Sequence, residues 1–300
     1  MKRYYYHEEC RKGHYRINSP EGVFMDLVVG TKQAMLIDTG FGFGNLREYI
    51  SSLTELPLVV VNTHGHPDHA GGNHQFTECP IYMSGKDRRL AESFFTEEER
   101  AKTVEGARHH SVDWSTGQTQ DILPESFEPE KYVTAALPAS KELSEGMVFD
   151  LGGLVLRTVA VPGHTCGSMA LWNEETRELY VGDAIGKCLL LSWGSAGFAP
   201  YRDTVRKICS MGIETFYHGH DNIANVGKLL EPVEALVDTI GESVVYRRPC
   251  PMEPERWDYY LIRKGHTMED MGKESFAMVV VNEEYFSEIE KEYGEFKVSA

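Results

Sequence analysis

The chain has 300 residues, enough for a full hydrophobic core in one large domain or in a domain with an appendage. Its net charge is −16 with the histidines neutral, and a surface this acidic repels phosphate backbones, which disfavours a nucleic-acid partner. No apolar run is long enough to cross a bilayer, and the N-terminus lacks the apolar stretch of a signal peptide. We therefore expect no membrane partner and a cytoplasmic location.

Six cysteines are scattered along the chain without a CxxC pair. In a chain of this length they do not indicate a disulfide framework, so we expect buried free thiols.

The first third of the chain alternates strand-like and turn-like segments. Residues 23–29 and 34–37 are apolar runs separated by Gly30-Thr31-Lys32, a pattern that predicts a hairpin. A helix is predicted to begin near Asn45. Residues 58–61 form a continuous run of Leu and Val, which predicts a strand buried on both faces.

Residues 85–145 have a different character. Residues 87–107 are charged and helical in pattern, and residues 109–140 are polar and rich in turn formers. We predict a helical insertion with an irregular loop. Two interpretations of the insertion stay open, a lid over a site and a solvated excursion without a role.

Strand and helix patterns return in the second half. Strands are predicted at residues 154–161, 169–172 and 179–181, and helices at residues 200–211 and 222–240. The last sixty residues contain two strand-like runs, 257–262 and 276–281, followed by a predicted helix over 283–293. We predict a main domain over residues 1–240 and a C-terminal α+β extension over residues 241–300. The extension is expected to pack on the core or to form the interface of a homodimer.

The segment Thr63-His64-Gly65-His66-Pro67-Asp68-His69-Ala70-Gly71-Gly72 carries the strongest chemical signal. It places three imidazoles and one carboxylate within six residues, directly after an apolar strand. Imidazole and carboxylate together suit zinc, and also iron or manganese, and a packed core rarely needs them this close together. The segment therefore predicts a metal site, and its glycines predict tight turns and close backbone approach.

Further candidate ligands follow predicted strands later in the chain. They are His164 in a Pro-Gly-His-Thr turn, Asp183 after residues 179–181, and His220 in Tyr217-His218-Gly219-His220-Asp221. A single His or Asp after a strand is more often a turn or cap residue. Their recurrence in this order is what makes them candidates.

Together these residues resemble the metallo-β-lactamase superfamily, whose HxHxDH motif is followed by a further His, an Asp and a final His. The resemblance covers roughly residues 20–225 and implies an α/β fold, a four-layered αβ/βα sandwich with the site at one edge between two sheets. By similarity, one metal would be bound by His64, His66 and His164 and the second by Asp68, His69 and His220, with Asp183 bridging the two and Asp38 supporting the ligands from behind. His218 is the alternative to His220.

The resemblance implies a metal-dependent hydrolase with two zinc ions, or alternatively iron or manganese. Two neighbouring dications can lower the pKa of a shared water toward about 7, and Asp68 is the expected catalytic residue that orients the water or moves its proton. The expected substrate is a small ester, thioester, lactone or phosphoester. Substrate contacts are predicted from Trp193, Phe198, Tyr201 and Arg202, and from the insertion residues His109, His110 and Trp114.

Two other functions stay open. A mononuclear-iron, sulfur dioxygenase-like oxidoreductase shares the same motif and a similar ligand set. A non-catalytic metal-binding protein of the same fold would be expected to lose ligands, and this chain retains every one of them.

Overall fold

A computed structural model of the chain describes residues 4–113, 118–221, 227–250, 253 and 255–299. The chain falls into two compact units, Met1–Thr158 with Gly219–Asn222 and Val159–His218 with Ile223–Ala300. The predicted substrate contact Trp114 lies outside the described residues.

The first unit contains most of the β-strands that precede residue 158. Its strands are β1 (Tyr6–Arg11), β2 (His14–Asn18), β3 (Phe24–Val29), β4 (Ala34–Ile37), β5 (Leu58–Val61), β6 (Ile81–Met83), β7 (His110–Asp113), β8 (Gln118–Gln120), β9 (Lys141–Glu142) and β10 (Val148–Asp150). Its helices are α1 (Leu46–Ser51), α2 (Pro67–Ala70), α3 (Arg88–Phe94), α4 (Glu97–Arg108) and α5 (Pro129–Val133), with a 3-10 helix over Gly71–Gln75. Strand β11 (Val155–Ala160) crosses the boundary between the units.

A seven-stranded sheet of order β1-β2-β3-β4-β5-β6-β9 forms the frame of the first unit. Strands β1 to β4 are antiparallel neighbours, which confirms the predicted β3–β4 hairpin, and β4, β5, β6 and β9 run parallel. In the parallel pair, Ile37 lies opposite Val61. Because parallel strands end at the same sheet edge, the residues that follow Ile37 and Val61 emerge side by side.

The insertion is built from α3, α4, the β7–β8 hairpin and α5. Its helical pattern is divided at Thr96, whose side chain accepts a hydrogen bond from the Glu99 backbone N–H and so begins α4 as a new helix. Four of its residues, Val104, Ala107, Ile122 and Tyr132, form a buried hydrophobic cluster with Phe43 from the first third of the chain. These residues are therefore packed and not simply solvated, whereas the question of whether the insertion has a role stays open. The lid stays a prediction.

The second unit combines the middle of the chain with its C-terminus. Its strands are β12 (Met169–Asn173), β13 (Glu178–Gly182), β14 (Cys188–Leu191), β15 (Thr215–His218), β16 (Val244–Pro249), β17 (Trp257–Ile262), β18 (Met278–Asn282) and β19 (Val298–Ser299). Its helices are α6 (Phe198–Ser210), α7 (Gly227–Asp238) and α8 (Glu283–Tyr293), with 3-10 helices over Ile240–Glu242 and Met268–Asp270.

Two sheets position the chemistry of the second unit. Strand β13 pairs antiparallel with β12 and parallel with β15, so that Gly182 lies opposite His218. The other sheet has the order β14-β18-β17-β16-β19, in which β14 pairs parallel with β18. One hydrophobic core contains residues from both sides of position 240, among them Leu189, Phe216, Leu261 and Phe286. The domain boundary at residue 240 stays a prediction.

Two expectations from composition can be compared with the described residues. Within them, no helix combines the length and the apolar character that crossing a membrane requires. None of the six cysteines, all of which lie in the described residues, forms a disulfide, as expected, and Cys250 is the buried thiol among them. Cys79 and Cys209 are half-buried, and the expectation of burial was wrong for the three exposed thiols, Cys10, Cys166 and Cys188.

Candidate metal centre

The HxHxDH segment follows the buried strand β5 and turns at once into the short helix α2. Pro67 occupies the first turn of this helix, as its fixed φ and missing N–H favour. A Cβ at Gly65 would lie 2.7 Å from the Asp87 carbonyl oxygen, and one at Gly72 would lie 2.3 Å from the Thr39 carbonyl oxygen. These positions therefore require glycine, as the sequence predicted.

Asp38 lies behind this segment, directly after β4. Its backbone is left-handed, with φ 64°, and its carboxylate is buried. One oxygen, Oδ1, accepts the Thr63 backbone N–H at 2.7 Å. The other, Oδ2, accepts the Thr63 hydroxyl at 2.7 Å and lies 2.8 Å from His69 Nδ1. Burial raises the pKa of the Asp38 carboxyl, while His69 and Thr63 act in the opposite direction.

The partners of Asp38 determine which ring nitrogens of the histidines point away from it. A carboxylate oxygen can only accept, so His69 Nδ1 carries its proton and presents Nε2 on the other side. The Thr63 hydroxyl gives its proton to Asp38 and therefore accepts from His64 Nδ1, which lies 3.0 Å away. His64 likewise presents its Nε2 away from Asp38.

The Nε2 atoms of His64 and His69 lie close to other potential metal ligands. His64 Nε2 lies 3.1 Å from His66 Nδ1. Ligand atoms of Asp68, His69 and His220 lie within 4.8 Å of one another, with Asp68 Oδ2 3.1 Å from His220 Nε2 and 3.5 Å from His69 Nε2. The first unit thus brings together five of the predicted ligands.

His220 reaches this cluster on a returning segment of the first unit. Its Nδ1 lies 3.3 Å from the Gly22 carbonyl oxygen, which can only accept, so Nε2 is the nitrogen presented to Asp68. The Gly219 carbonyl accepts the Phe24 N–H at 2.7 Å, and Arg16 donates to the Asp221 carbonyl at 2.8 Å. His220 is therefore held between two anchored neighbours.

The alternative ligand His218 is placed differently. It is the buried last residue of β15, and a Cβ at Gly186 would lie 2.8 Å from its Nε2. The geometry of the first unit therefore favours His220 over His218 as the partner of Asp68.

Arg16 belongs to a buried ion-pair network beneath the His220 segment. Asp26 Oδ2 accepts from Arg16 at 2.9 Å, and Asp26 Oδ1 lies 2.7 Å from His14 Nε2. Burial alone would raise the pKa of Asp26, but Arg16 and His14 outweigh it and hold that pKa below its ordinary value. Asp26 is thus ionised at neutral pH and anchors Arg16.

The second unit holds the two remaining predicted ligands. His164 Nε2 lies 3.8 Å from Asp183 Oδ2, and His164 Nδ1 lies 2.7 Å from the Leu190 carbonyl oxygen. That carbonyl again leaves Nε2 as the presented nitrogen. Asp183 directly follows β13, as the sequence predicted for a ligand at a strand end.

The predicted substrate contacts are dispersed. Trp193 donates its indole N–H to Glu253 at 2.7 Å, and Arg202 pairs with Glu292 at 2.7 Å. Tyr201 has no exposed surface and Phe198 is also buried, so both side chains contribute to the core of the second unit instead of offering a contact surface. In the insertion, exposed His109 directly follows α4 and pairs with Glu105, while His110 begins β7.

Phe94 lies beside the ligand cluster and was not predicted from the sequence. It ends α3, is half-buried, and its ring centroid lies 6.0 Å from that of His66 at an interplanar angle of 80°. Asp87, Ala91 and Phe94 are spaced so that they share one face of a helix, and this spacing could have indicated that Phe94 faces the same way as the two buried residues.

The donor set fits a metal ion. His64, His69, His164 and His220 each turn Nδ1 to an oxygen acceptor, an arrangement that is usual for metal-binding histidines. Asp68 Oδ2 then faces the lone pair of His220 Nε2 at 3.1 Å. Two acceptors at this distance need a cation between them, either a proton on the ring or a metal ion.

Comparison with known proteins identifies the family. The sequence model of the Metallo-beta-lactamase superfamily matches residues 20–220. The chain belongs to this superfamily. It is 27% identical over 177 residues to the acyl-coenzyme A thioesterase MBLAC2 of Gallus gallus, covering 56% of this chain and 59% of that protein. To the Homo sapiens protein of the same name it is 27% identical over 180 residues, covering 56% and 60%. The chain thus spans about three fifths of the length of these relatives.

A solved structure supports the same fold. A beta-lactamase domain protein from Burkholderia ambifaria aligns with a TM-score of 0.56 at 19% identity, covering 79% of this chain and 78% of that one. The family and the α/β metallo-β-lactamase fold predicted from the sequence are therefore confirmed.

Proposed function

We propose that the protein is a metal-dependent hydrolase that cleaves small acyl thioesters at a dinuclear zinc site. The observation that carries this proposal is the convergence of Asp68, His69 and His220, beside the pair His64 and His66, in a chain of this superfamily. The thioester is favoured over the ester, lactone and phosphoester because the relatives described above are named acyl-coenzyme A thioesterases.

The ligand roles follow the family pattern. His64, His66 and His164 would hold one metal, Asp68, His69 and His220 the other, and Asp183 both. Zinc is favoured because four-coordinate imidazole and carboxylate sets suit it. When bound, such ions supply Lewis acidity, which lowers the pKa of a water and polarises a carbonyl oxygen.

The protein groups have separate tasks in this proposal. Asp38 and Thr63 hold the protons of His69 and His64 on the nitrogens that face away from the metals. The side chain of Asp68 is 18% exposed, whereas that of His69 is 0% exposed, so Asp68 is the more accessible of the two. Asp68 can therefore also accept the proton released when water attacks a thioester carbonyl. The products are a carboxylic acid and a free thiol.

The first test combines metal analysis with turnover. Elemental mass spectrometry should find about two zinc ions per chain, the number of metals such a site holds. Acyl-coenzyme A compounds should then release thiol, detected with a chromogenic disulfide. An Asp68→Asn variant should lose turnover. A His220→Asn variant should lose metal, and His218→Asn, its matched control, should retain both metals. One iron per chain with oxygen-dependent oxidation of a thiol persulfide would contradict the proposal and support the dioxygenase-like alternative.

Several expectations stay predictions. They are the homodimer, the cytoplasmic location and the absence of a nucleic-acid partner. Size-exclusion chromatography with light scattering would test the first of them directly.

A further inference from the structure

One face of α3 lies along the metal-ligand segment of the first unit. Asp87, just before the helix, accepts the Gly65 backbone N–H at 3.1 Å and is 1% exposed. Ala91, one turn later, lies in a buried cluster with Ala70 at the end of α2. Phe94 ends the helix beside His66. The spacing i, i+4, i+7 puts Asp87, Ala91 and Phe94 on a single face of the helix.

The contact between α3 and the segment is close at the backbone. A Cβ at Gly65 would lie 2.7 Å from the Asp87 carbonyl oxygen and 3.2 Å from the Ala91 nitrogen. The helix therefore has little freedom to shift along the segment without losing the Gly65–Asp87 hydrogen bond and the Ala91 packing.

Arg100 fixes the following part of the insertion to the same segment. It is 2% exposed, donates to the Tyr132 carbonyl at 2.6 Å and reaches the Gly71 carbonyl at 3.5 Å. Its guanidinium carbon lies 3.8 Å from the centroid of the Tyr132 ring and 4.5 Å from that of the Phe95 ring. Helices α3, α4 and α5 are thus held at Gly65 and at Gly71, so this part of the insertion forms a wall beside the segment.

Phe94 presents an apolar surface at the end of this wall. Its ring is half-buried, whereas His66 next to it is 8% exposed. Small-molecule sites combine a few polar groups with apolar and aromatic walls. In an acyl-coenzyme A thioester, the apolar group attached to the reacting carbonyl is the acyl chain, because the coenzyme side carries amides and phosphates.

We propose that Phe94 is a specificity-determining residue that contacts the acyl chain next to the thioester carbonyl. This proposal rests on the proposed thioesterase function and adds to it the part of the substrate that the insertion recognises. A methylene group that becomes buried against an apolar side chain contributes about a fourfold gain in binding. Selectivity should therefore rise with acyl-chain length as long as each added methylene reaches the ring.

The test compares a homologous series of acyl-coenzyme A substrates from acetyl to dodecanoyl. In the zinc-loaded wild-type protein, kcat/KM should rise by about fourfold for each methylene that contacts Phe94. Phe94→Ala should flatten this rise mainly through KM, and Phe94→Trp should move the optimum to shorter chains. Zinc content and melting temperature should stay at wild-type values in both variants.

Phe127→Ala is the matched control. Phe127 is also a half-buried phenylalanine of the insertion, but its ring packs on Phe43 at 5.6 Å and on Tyr132 at 5.4 Å. The chain-length profile of this variant should match that of the wild type. If Phe127→Ala flattens the profile as much as Phe94→Ala does, general loosening of the insertion explains the effect and the proposal is overturned.

Binding of n-alkanoates from acetate to dodecanoate, measured by calorimetry on the zinc-loaded protein, provides a readout without turnover. A gain per methylene in the wild type that disappears in Phe94→Ala supports the proposal, even if no thioester is hydrolysed; that outcome would contradict the thioesterase function alone. Equal losses at every chain length together with zinc loss would show that Phe94 merely shields His66, and an unchanged profile would show that the ring does not contact the chain.

Discussion

Replacing Asp38 by Asn tests how the protein chooses the metal-binding nitrogen of His69. Asn tolerates the left-handed backbone of this position better than most residues, so the exchange preserves shape. The Thr63 backbone N–H must still be accepted, which keeps the amide oxygen in the place of Oδ1. The amide nitrogen then replaces Oδ2 and points a donor at His69 Nδ1, 2.8 Å away.

This donor inverts the preferred tautomer of His69. Nδ1 becomes the acceptor, the proton moves to Nε2, and the nitrogen that faces Asp68 is blocked for a metal. Loss of such a supporting partner typically lowers metal affinity by about 10–100-fold, or about 1.4–2.7 kcal/mol. His64 is spared, since the Thr63 hydroxyl can accept from the new amide and from His64 Nδ1 together.

The metal-free protein should be little affected by the same exchange. Burial already raises the pKa of Asp38 and so opposes its ionisation, which a neutral amide avoids. We expect a melting temperature close to that of the wild type without metal, and a zinc titration against a competing chelator in which one of two sites is weakened. Asp87→Asn, the same change at a buried carboxylate that accepts from the Gly65 backbone, is the matched control. A folded Asp38→Asn protein with wild-type affinity at both sites would refute the reasoning.

Three further predictions concern metal retention and the dependence of stability on pH. Asp183→Ala should lose one metal in preference to the other, as read by elemental mass spectrometry. Because the folded-state pKa of Asp26 is lowered, its contribution to stability should be present above pH 3.8 and be lost as the pH falls through the folded value, and urea unfolding of Asp26→Asn should not show this loss. Burial and Arg100 lower the pKa of His74 from 6.5 to about 4, so the free energy of unfolding should fall by about 3 kcal/mol between pH 6.5 and 4, a slope that His74→Gln removes.

Each of these predictions has an outcome that contradicts it. Retention of both metals at full occupancy in Asp183→Ala would remove that residue from the bridging role. An Asp26→Asn protein that loses as much stability in acid as the wild type would show that other carboxylates control acid unfolding. A His74→Gln protein whose free energy of unfolding still falls by about 3 kcal/mol between pH 6.5 and 4 would show that His74 does not set this slope.

The candidate ligands could be predicted because their chemistry is local in sequence. The HxHxDH segment places four donors within six residues, and the apolar strand before it sets their position at a sheet edge. Asp38 could be associated with them through the family resemblance, and the parallel pairing of Ile37 with Val61 explains why it lies behind them. Hydrophobic periodicity likewise located the central strands and helices.

The elements and residues that the sequence did not predict correctly have a common physical origin, since each depends on tertiary packing. Strands β1 and β2 were not predicted, because their residues 6–18 are largely polar and β1 is mostly exposed at a sheet edge. Tyr201 was selected as a pocket residue for its chemical character, but burial depends on helix orientation, and α6 turns this side chain into the core. Phe94 was missed because its contact with His66 depends on how the insertion packs, which the local pattern does not specify.

The hydrogen bond between His220 and Gly22 joins residues 198 positions apart. Bringing residues this far apart in sequence together costs conformational entropy, which is offset only after the contact has formed. Contacts of this sequence separation therefore slow folding. Asp68 and His69 are neighbours in sequence and can come together early. The third donor, His220, lies after residues 159–218 of the second unit, so it is available only when most of the polypeptide has been synthesised. During biosynthesis and refolding, tight metal uptake should therefore be a late event that reports completion of the first unit.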